Sequence, residues 1–278
     1  MSLLLFTLVV FGISIAAGLL GSLTGLGGAI VVTPALSLLL GVDLRYAIGA
    51  SLVSVIATSS GAAAAYVRDG LSNIRVGIFL EVATTAGAIT GALVAGKLST
   101  GSLAVIFGVV LAHSAWTIGR TREEAPRPKQ DGRIARWLRL DGTYRAPEGE
   151  VDYVVTREAG GFGLMYIAGV LSGLLGIGSG ALKVIAMDRV MGLPFKVSTA
   201  TSSFMIGVTA VASAAIYLKR GYIRPEIALP VMLGVLAGSM VGARLLPRLP
   251  VKTLRRIFAI VVAVIGTQMI VEGLRGKI

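Results

Sequence analysis

The chain has 278 residues, of which 55% are hydrophobic and only 14% charged, and it contains no cysteine. That balance lies far from soluble domains, and the missing cysteines exclude disulfides, thiolate chemistry and cysteine-based metal sites. The formal net charge of +12 is scattered over loops between apolar runs, with no basic face or aromatic-interleaved patch. It argues against a nucleic-acid partner and for positive-inside anchoring in a lipid bilayer.

A helix that crosses a bilayer core needs about 20 apolar residues. Runs approaching or reaching that length lie at 3–20, 47–67, 76–96, 103–119, 162–175, 197–218, 227–246 and 257–271. The first lacks a basic leading region and flows straight into a glycine-rich stretch, so it is expected to stay as a span rather than leave as a signal peptide.

The chain is internally repeated. A constant shift of 151 residues keeps two copies in register for roughly ninety positions, carrying Gly25 onto Gly176, Gly27 onto Gly178, Ser51 onto Ser202 and Tyr66 onto Tyr217. Each copy reads alike. A long apolar helix runs into a glycine cluster (21–28; 173–180), and a short apolar stretch (29–40; 181–191) then ends at Gly41 or Gly192. Three longer helices complete the copy.

The short stretches are too short to cross alone. They read as half-helices or re-entrant segments, tolerated where protein or a watery cavity covers their backbone. The expected fold is therefore an all-α polytopic membrane protein of two homologous halves with 8–10 membrane segments. Ten crossings would make the halves inverted and eight would make them parallel. The reading favours inverted repeats, which bring equivalent glycine breaks together at the midplane.

The expected division is 1–119 for the first repeat, 120–160 for a charged cytoplasmic linker and 161–278 for the second repeat. Between Arg120 and Glu158 lie nine basic and eight acidic residues, with a short helix expected over 134–140. The segment is too small for a core of its own, so it reads as a surface connector.

Several residues could carry chemistry. Glycines are unfavourable inside helices, so the two clusters imply either a sharp bend or close approach of another backbone. One reading has Gly25, Gly27 and Gly28, with Gly176, Gly178, Ser179 and Gly180, presenting backbone amides to an anion at a helix start. The other is small-residue packing, which accounts for Gly87/Gly91 and for Gly234/Gly238/Gly242.

Lys183 falls just inside the second short stretch, where its counterpart is Val32. An ionisable residue at membrane depth is a functional candidate, here adding a positive charge to the cradle. Ser51, Thr201 and Ser202 could complete an anion's hydrogen-bond shell or simply bond across helices.

Glu81, opposite Met232, is either a proton-coupling site or an interfacial partner for Arg75, and the pairing is the favoured reading. His113 is the only histidine, so no metal site is expected. Ser179 and Lys183, four apart, leave an intramembrane Ser/Lys hydrolase as an alternative reading. No phosphate-loop pattern is present, and no cofactor is expected.

On Gly21-x3-Gly25-Leu-Gly27-Gly28 with Pro34, Gly176-Ile-Gly178-Ser179-Gly180, Ala200-Thr201-Ser202-Ser203, Tyr217-x3-Gly221 and Gly238-x3-Gly242-Ala-Arg244, the chain resembles the TauE/SafE sulfite exporter (TSUP) family. The resemblance covers nearly all of the chain outside the linker. It implies an inner-membrane carrier of small sulfur-containing anions such as sulfite, thiosulfate or organosulfonates, usually exported. The expectation is a secondary transporter working by alternating access, with an anion channel as another alternative and homo-oligomer formation left open.

Overall fold

The computed structural model describes residues 3–24, 28–68, 70–119, 133–146, 149–245 and 251–276. Most of these are helical, as lipid demands: without water, backbone N–H and C=O groups must bond within their own segment. The first copy holds α1 (Leu3–Thr24), α2 (Ala29–Leu40), α3 (Leu44–Arg68), α4 (Ile74–Ala95) and α5 (Thr100–Gly119). Next come α6 (Arg133–Leu138) and an antiparallel hairpin of β1 (Gly142–Ala146) and β2 (Gly149–Tyr153). The second copy holds α7 (Glu158–Leu175), α8 (Gly180–Ile185), α9 (Phe195–Lys219), α10 (Pro225–Leu245) and α11 (Val251–Leu274).

Among the described residues, α4, α7 and α9 are long and apolar enough to cross a membrane, and shorter apolar stretches lie in α1, α2, α5, α10 and α11. The exterior is lipid-like. On α4, Ile78, Val82, Ile89 and Leu93 point outward, each at least 40% exposed. The interior holds the polar groups: Ser51, Ser54, Glu81, Thr84, Ser172, Lys183, Thr201, Ser202 and Thr209 are all buried. This is a polytopic helical membrane protein.

The helices pair across the copies. α1 packs on α10 and α4 on α7, so the first helix of each copy lies against the fourth of the other. The third helices, α3 and α9, meet each other, as do the last, α5 and α11. Glycines make the α4–α7 contact. A Cβ at Gly87 would strike the carbonyl oxygen of Tyr166, at Gly91 that of Val170, at Gly169 that of Thr84 and at Gly173 that of Ala88. At α1–α10, Gly18 meets Val235 and Gly238 meets Ile15 in the same way. Lipid provides little hydrophobic drive between helices, so backbone approach of this kind supplies the packing. The packing of Gly242 lies outside the described residues.

The short stretches differ. α2 is one continuous helix of 12 residues with Pro34 inside it. In the second copy α8 gives way after Ile185 to a π-helical turn, Ala186–Val190, closed by the Met191 amide on the Ala186 carbonyl at 3.1 Å. Such turns insert a local distortion and recur at functional sites.

The segment between the copies is more than a solvated connector. α6 falls where a short helix is expected, but the hairpin carries no clear sequence signal. Ala135, Leu140, Tyr153 and Val155 are buried in a second core with Val76, Leu80, Met165, Met187 and Met191. The segment is too short for a core of its own, so it shares one with α4, α7 and the π-helical turn. Asn73 fastens it: its side-chain amide donates to the Leu140 carbonyl at 2.7 Å and to the Tyr153 hydroxyl at 2.9 Å. The same side chain caps α4 by accepting from the Val76 amide at 3.0 Å.

Candidate functional site

Three elements from both copies build a buried polar chain. α8 starts from a tight turn in which Gly176, Gly178 and Ser179 all have positive φ, at 67°, 71° and 45°. Glycine adopts that backbone freely, whereas Ser179 does so at some strain. One turn beyond lies Lys183, fully buried. Its Nζ donates to Thr209 Oγ1 on α9 at 2.6 Å.

Thr209 passes the contact on. Its Oγ1 is 2.7 Å from Glu81 Oε1 on α4 and 2.8 Å from the Met205 carbonyl oxygen. A hydroxyl has one proton, so with Lys183 donating to it Thr209 can donate to only one of these two acceptors at a time. Thr85, one turn along α4 from Glu81, donates to the same Oε1 at 2.9 Å. Glu81 Oε2 is buried and has no hydrogen-bond partner.

Burying an ion costs several kcal/mol even after relaxation, so a lysine and a glutamate at this depth require one another. Lys183 is the charged group that acts on Glu81, and Glu81 the one that acts on Lys183. The two charges that break the sequence repeat therefore meet, bridged by Thr209. The 151-residue shift carries Lys183 onto Val32, Thr209 onto Thr58 and Glu81 onto Met232. There Thr58 bonds within its own helix, to the Ser54 carbonyl at 2.9 Å and the Val55 carbonyl at 3.3 Å. The charged triad thus spans both copies, and its repeat-related set carries no charge.

This geometry corrects the favoured sequence reading of Glu81. It does not pair with Arg75, whose guanidinium donates instead to the Arg139 carbonyl at 3.2 Å. The physical reason is helical phase: Glu81 faces the α7/α9 side of α4, while Arg75 lies at the helix start beneath the linker segment.

The other candidates divide. Gly25 and Gly27 lie outside the described residues. Gly28 has an ordinary helical φ of −69°, and a Cβ there would meet Val235 and Ala17, so it serves close approach to α1 and α10. A Cβ at Gly180 would crowd Ile206. Ser51 shares a 2.6 Å hydrogen bond with Thr33, tying α3 to α2, and Ser202 donates to the Gly180 carbonyl at 3.4 Å, tying α9 to α8. Thr201 accepts from the Asn73 amide at 3.0 Å, facing the start of α4.

The Ser179 hydroxyl is buried without a hydrogen-bond partner, so the Ser/Lys dyad is not formed: Lys183 is bonded to Thr209 instead. Sequence reasoning passed over Thr209, Thr85 and Asn73. Two carried a signal. The 151-residue shift places Thr209 on Thr58, and Thr85 follows Glu81 at a helical interval of four.

Comparison with known proteins fixes the class. The family model for the sulfite exporter TauE/SafE matches residues 10–269. The chain belongs to that family. It is 31% identical over 275 residues to the "Probable membrane transporter protein YunE" of Bacillus subtilis (strain 168), covering 96% of this chain and 97% of that one. A probable membrane transporter protein of Xylella fastidiosa (strain Temecula1) is 24% identical over 261 residues, covering 93% and 91%. One from Methanocaldococcus jannaschii is 25% identical over 285 residues, covering 96% of each chain. No solved structure matches. Family, relatives and apolar helices together make this TauE/SafE protein a multi-pass membrane transporter.

Proposed function

We propose that this transporter carries a small sulfur-containing anion, such as sulfite, thiosulfate or an organosulfonate, out across the cell's inner membrane by alternating access. The observation that carries the reading is Lys183: a fully buried cation one turn beyond a strained glycine turn, beside the unpartnered hydroxyl of Ser179. A buried cation and an unpartnered hydroxyl in a water-poor interior suit a small oxyanion, whose charge can stand in for that of Glu81 beside the lysine. The family description adds the sulfur chemistry.

On this reading the copies, 1–119 and 161–278, are inverted repeats whose short segments, α2 and α8 with its π-helical turn, are re-entrant. The crossed pairing of α1 with α10 and α4 with α7 supports that symmetry. The linker, 120–160, lies on the cytoplasmic face, where its positive charges belong.

The test is binding of sulfite, thiosulfate, taurine, sulfoacetate and acetate to purified protein, set beside the double variant Lys183→Met/Glu81→Gln. That variant replaces a buried ion pair by neutral groups of similar size, which is often neutral for stability. Sulfur anions are expected to bind the wild type and to lose at least tenfold in affinity in the variant, with its melting point kept. Binding of acetate alone, or unchanged sulfur-anion binding in the variant, would overturn the proposal.

A further inference from the structure

We propose that Glu81 and the transported anion compete for Lys183, so that each anion binds together with one proton taken up by Glu81. This rests on the anion-carrier reading above and adds to it the coupling ion and its stoichiometry.

The first argument is charge. In the structure Lys183 is already compensated, because Thr209 links it to Glu81 within a few ångströms. A monovalent anion arriving beside that pair would leave one net negative charge in the membrane interior, a cost of several kcal/mol. A proton on Glu81 removes the excess: the loaded site then holds one ammonium, one anion and a neutral carboxylic acid. Empty and loaded sites carry the same net charge, so the two states can cross the same low-dielectric interior.

The second argument is the hydrogen-bond count. The Thr209 hydrogen has two acceptors at nearly equal distance, Glu81 Oε1 at 2.7 Å and the Met205 carbonyl at 2.8 Å. It can point to Glu81 when that side chain is ionised and to Met205 when Glu81 no longer needs it, with no movement of heavy atoms. Glu81 Oε2, buried and without a partner, is the place for the proton. Protonation turns that oxygen from an unsatisfied acceptor into a donor, and a bound oxyanion supplies the acceptor it then requires. The proton comes from water and returns to water when the anion leaves.

Around Glu81 the other ionisable groups are engaged elsewhere. On its own helix Arg75 bonds the Arg139 carbonyl. On α7, Glu158 accepts from the Ala135 amide and Tyr166 donates to Thr90. On α9, Arg220 bonds the Ala92 and Leu93 carbonyls at the far end of α4. Lys183 on α8 is the group that faces it. The repeat-related positions Val32, Thr58 and Met232 hold neither charge, so the duplicated fold carries this charged pair once and not twice.

The experiment measures proton uptake on anion binding in weakly buffered detergent solution, with methanesulfonate and ethanesulfonate as probes because both are monovalent and neither titrates near neutral pH. Wild-type protein is expected to take up about one proton per anion, and the dissociation constant to rise about tenfold per pH unit, as one-to-one linkage requires. In Glu81→Gln both effects should vanish while binding persists. Proton dependence retained in Glu81→Gln would assign the titration to Lys183 and overturn the inference, as would wild-type binding with no proton uptake. Either result leaves the anion-carrier proposal standing. Failure of both probes and of the wider sulfur-anion panel to bind wild type and variant alike overturns the two together. A readout independent of the variant's folding is the infrared carbonyl band of a neutral carboxylic acid, expected to grow in wild-type protein when anion is added. Its absence overturns the coupling.

Discussion

Thr209 holds one hydroxyl between a lysine and a glutamate, and much of the interior depends on it. Thr209→Val keeps the shape but removes both the acceptor for Lys183 and the donor for Glu81. Each stranded polar group costs about 1–3 kcal/mol, so the variant should unfold at a clearly lower temperature in detergent. Thr209→Ser should recover most of the loss, and an unchanged melting point in Thr209→Val would show the bridge to be unimportant. The two charges themselves were legible in the sequence, because each breaks an otherwise matching repeat. Their meeting was not: Glu81 and Lys183 lie in different copies, and only the packing of α4 and α8 against α9 brings them together. Arg75, nearer in sequence, drew the assignment that tertiary packing overrode.

Between elements, the glycines sort by what lies opposite them. Gly91 on α4 faces the Val170 backbone, whereas Gly163 on α7 has nothing within 4 Å. Gly91→Leu should therefore force α4 and α7 apart and destabilise by about 1–3 kcal/mol or more. Gly163→Leu should be neutral or slightly stabilising, since leucine is the better helix former. Comparing their melting temperatures checks both, and equal effects would refute the assigned contact. The packing role of Gly87 and Gly91 could be read from their spacing. Gly169 and Gly173 share that spacing, but where packing ends and Gly176 and Gly178 begin to turn the chain could not be read, because a glycine's letter carries no φ.

At the scale of the molecule, the segment between the copies was the least legible part. Its balanced charge read as a solvated connector, yet Leu140, Tyr153 and Val155 close over the start of α4 and the π-helical turn. Alternating short β-forming residues in a charged context give little warning of this, and the core it shares belongs to distant helices. Asn73→Ala removes a helix cap, worth about 1 kcal/mol, together with both bonds to the segment. It should speed hydrogen exchange and proteolysis over residues 133–153 while leaving exchange in α11 unchanged. Equal protection in both proteins would show that the segment is held by its apolar contacts alone.

The crossed pairing also bears on how the protein is made. α1 is synthesised well before its main partner, α10, which begins only at Pro225. α4 likewise waits for α7, which starts at Glu158 on the far side of the linker. Both helices must stand in the bilayer with their glycine faces open to lipid until those partners have been translated. Assembly is therefore late and long-range, and a product truncated before α10 leaves α1 without the surface it was shaped to meet.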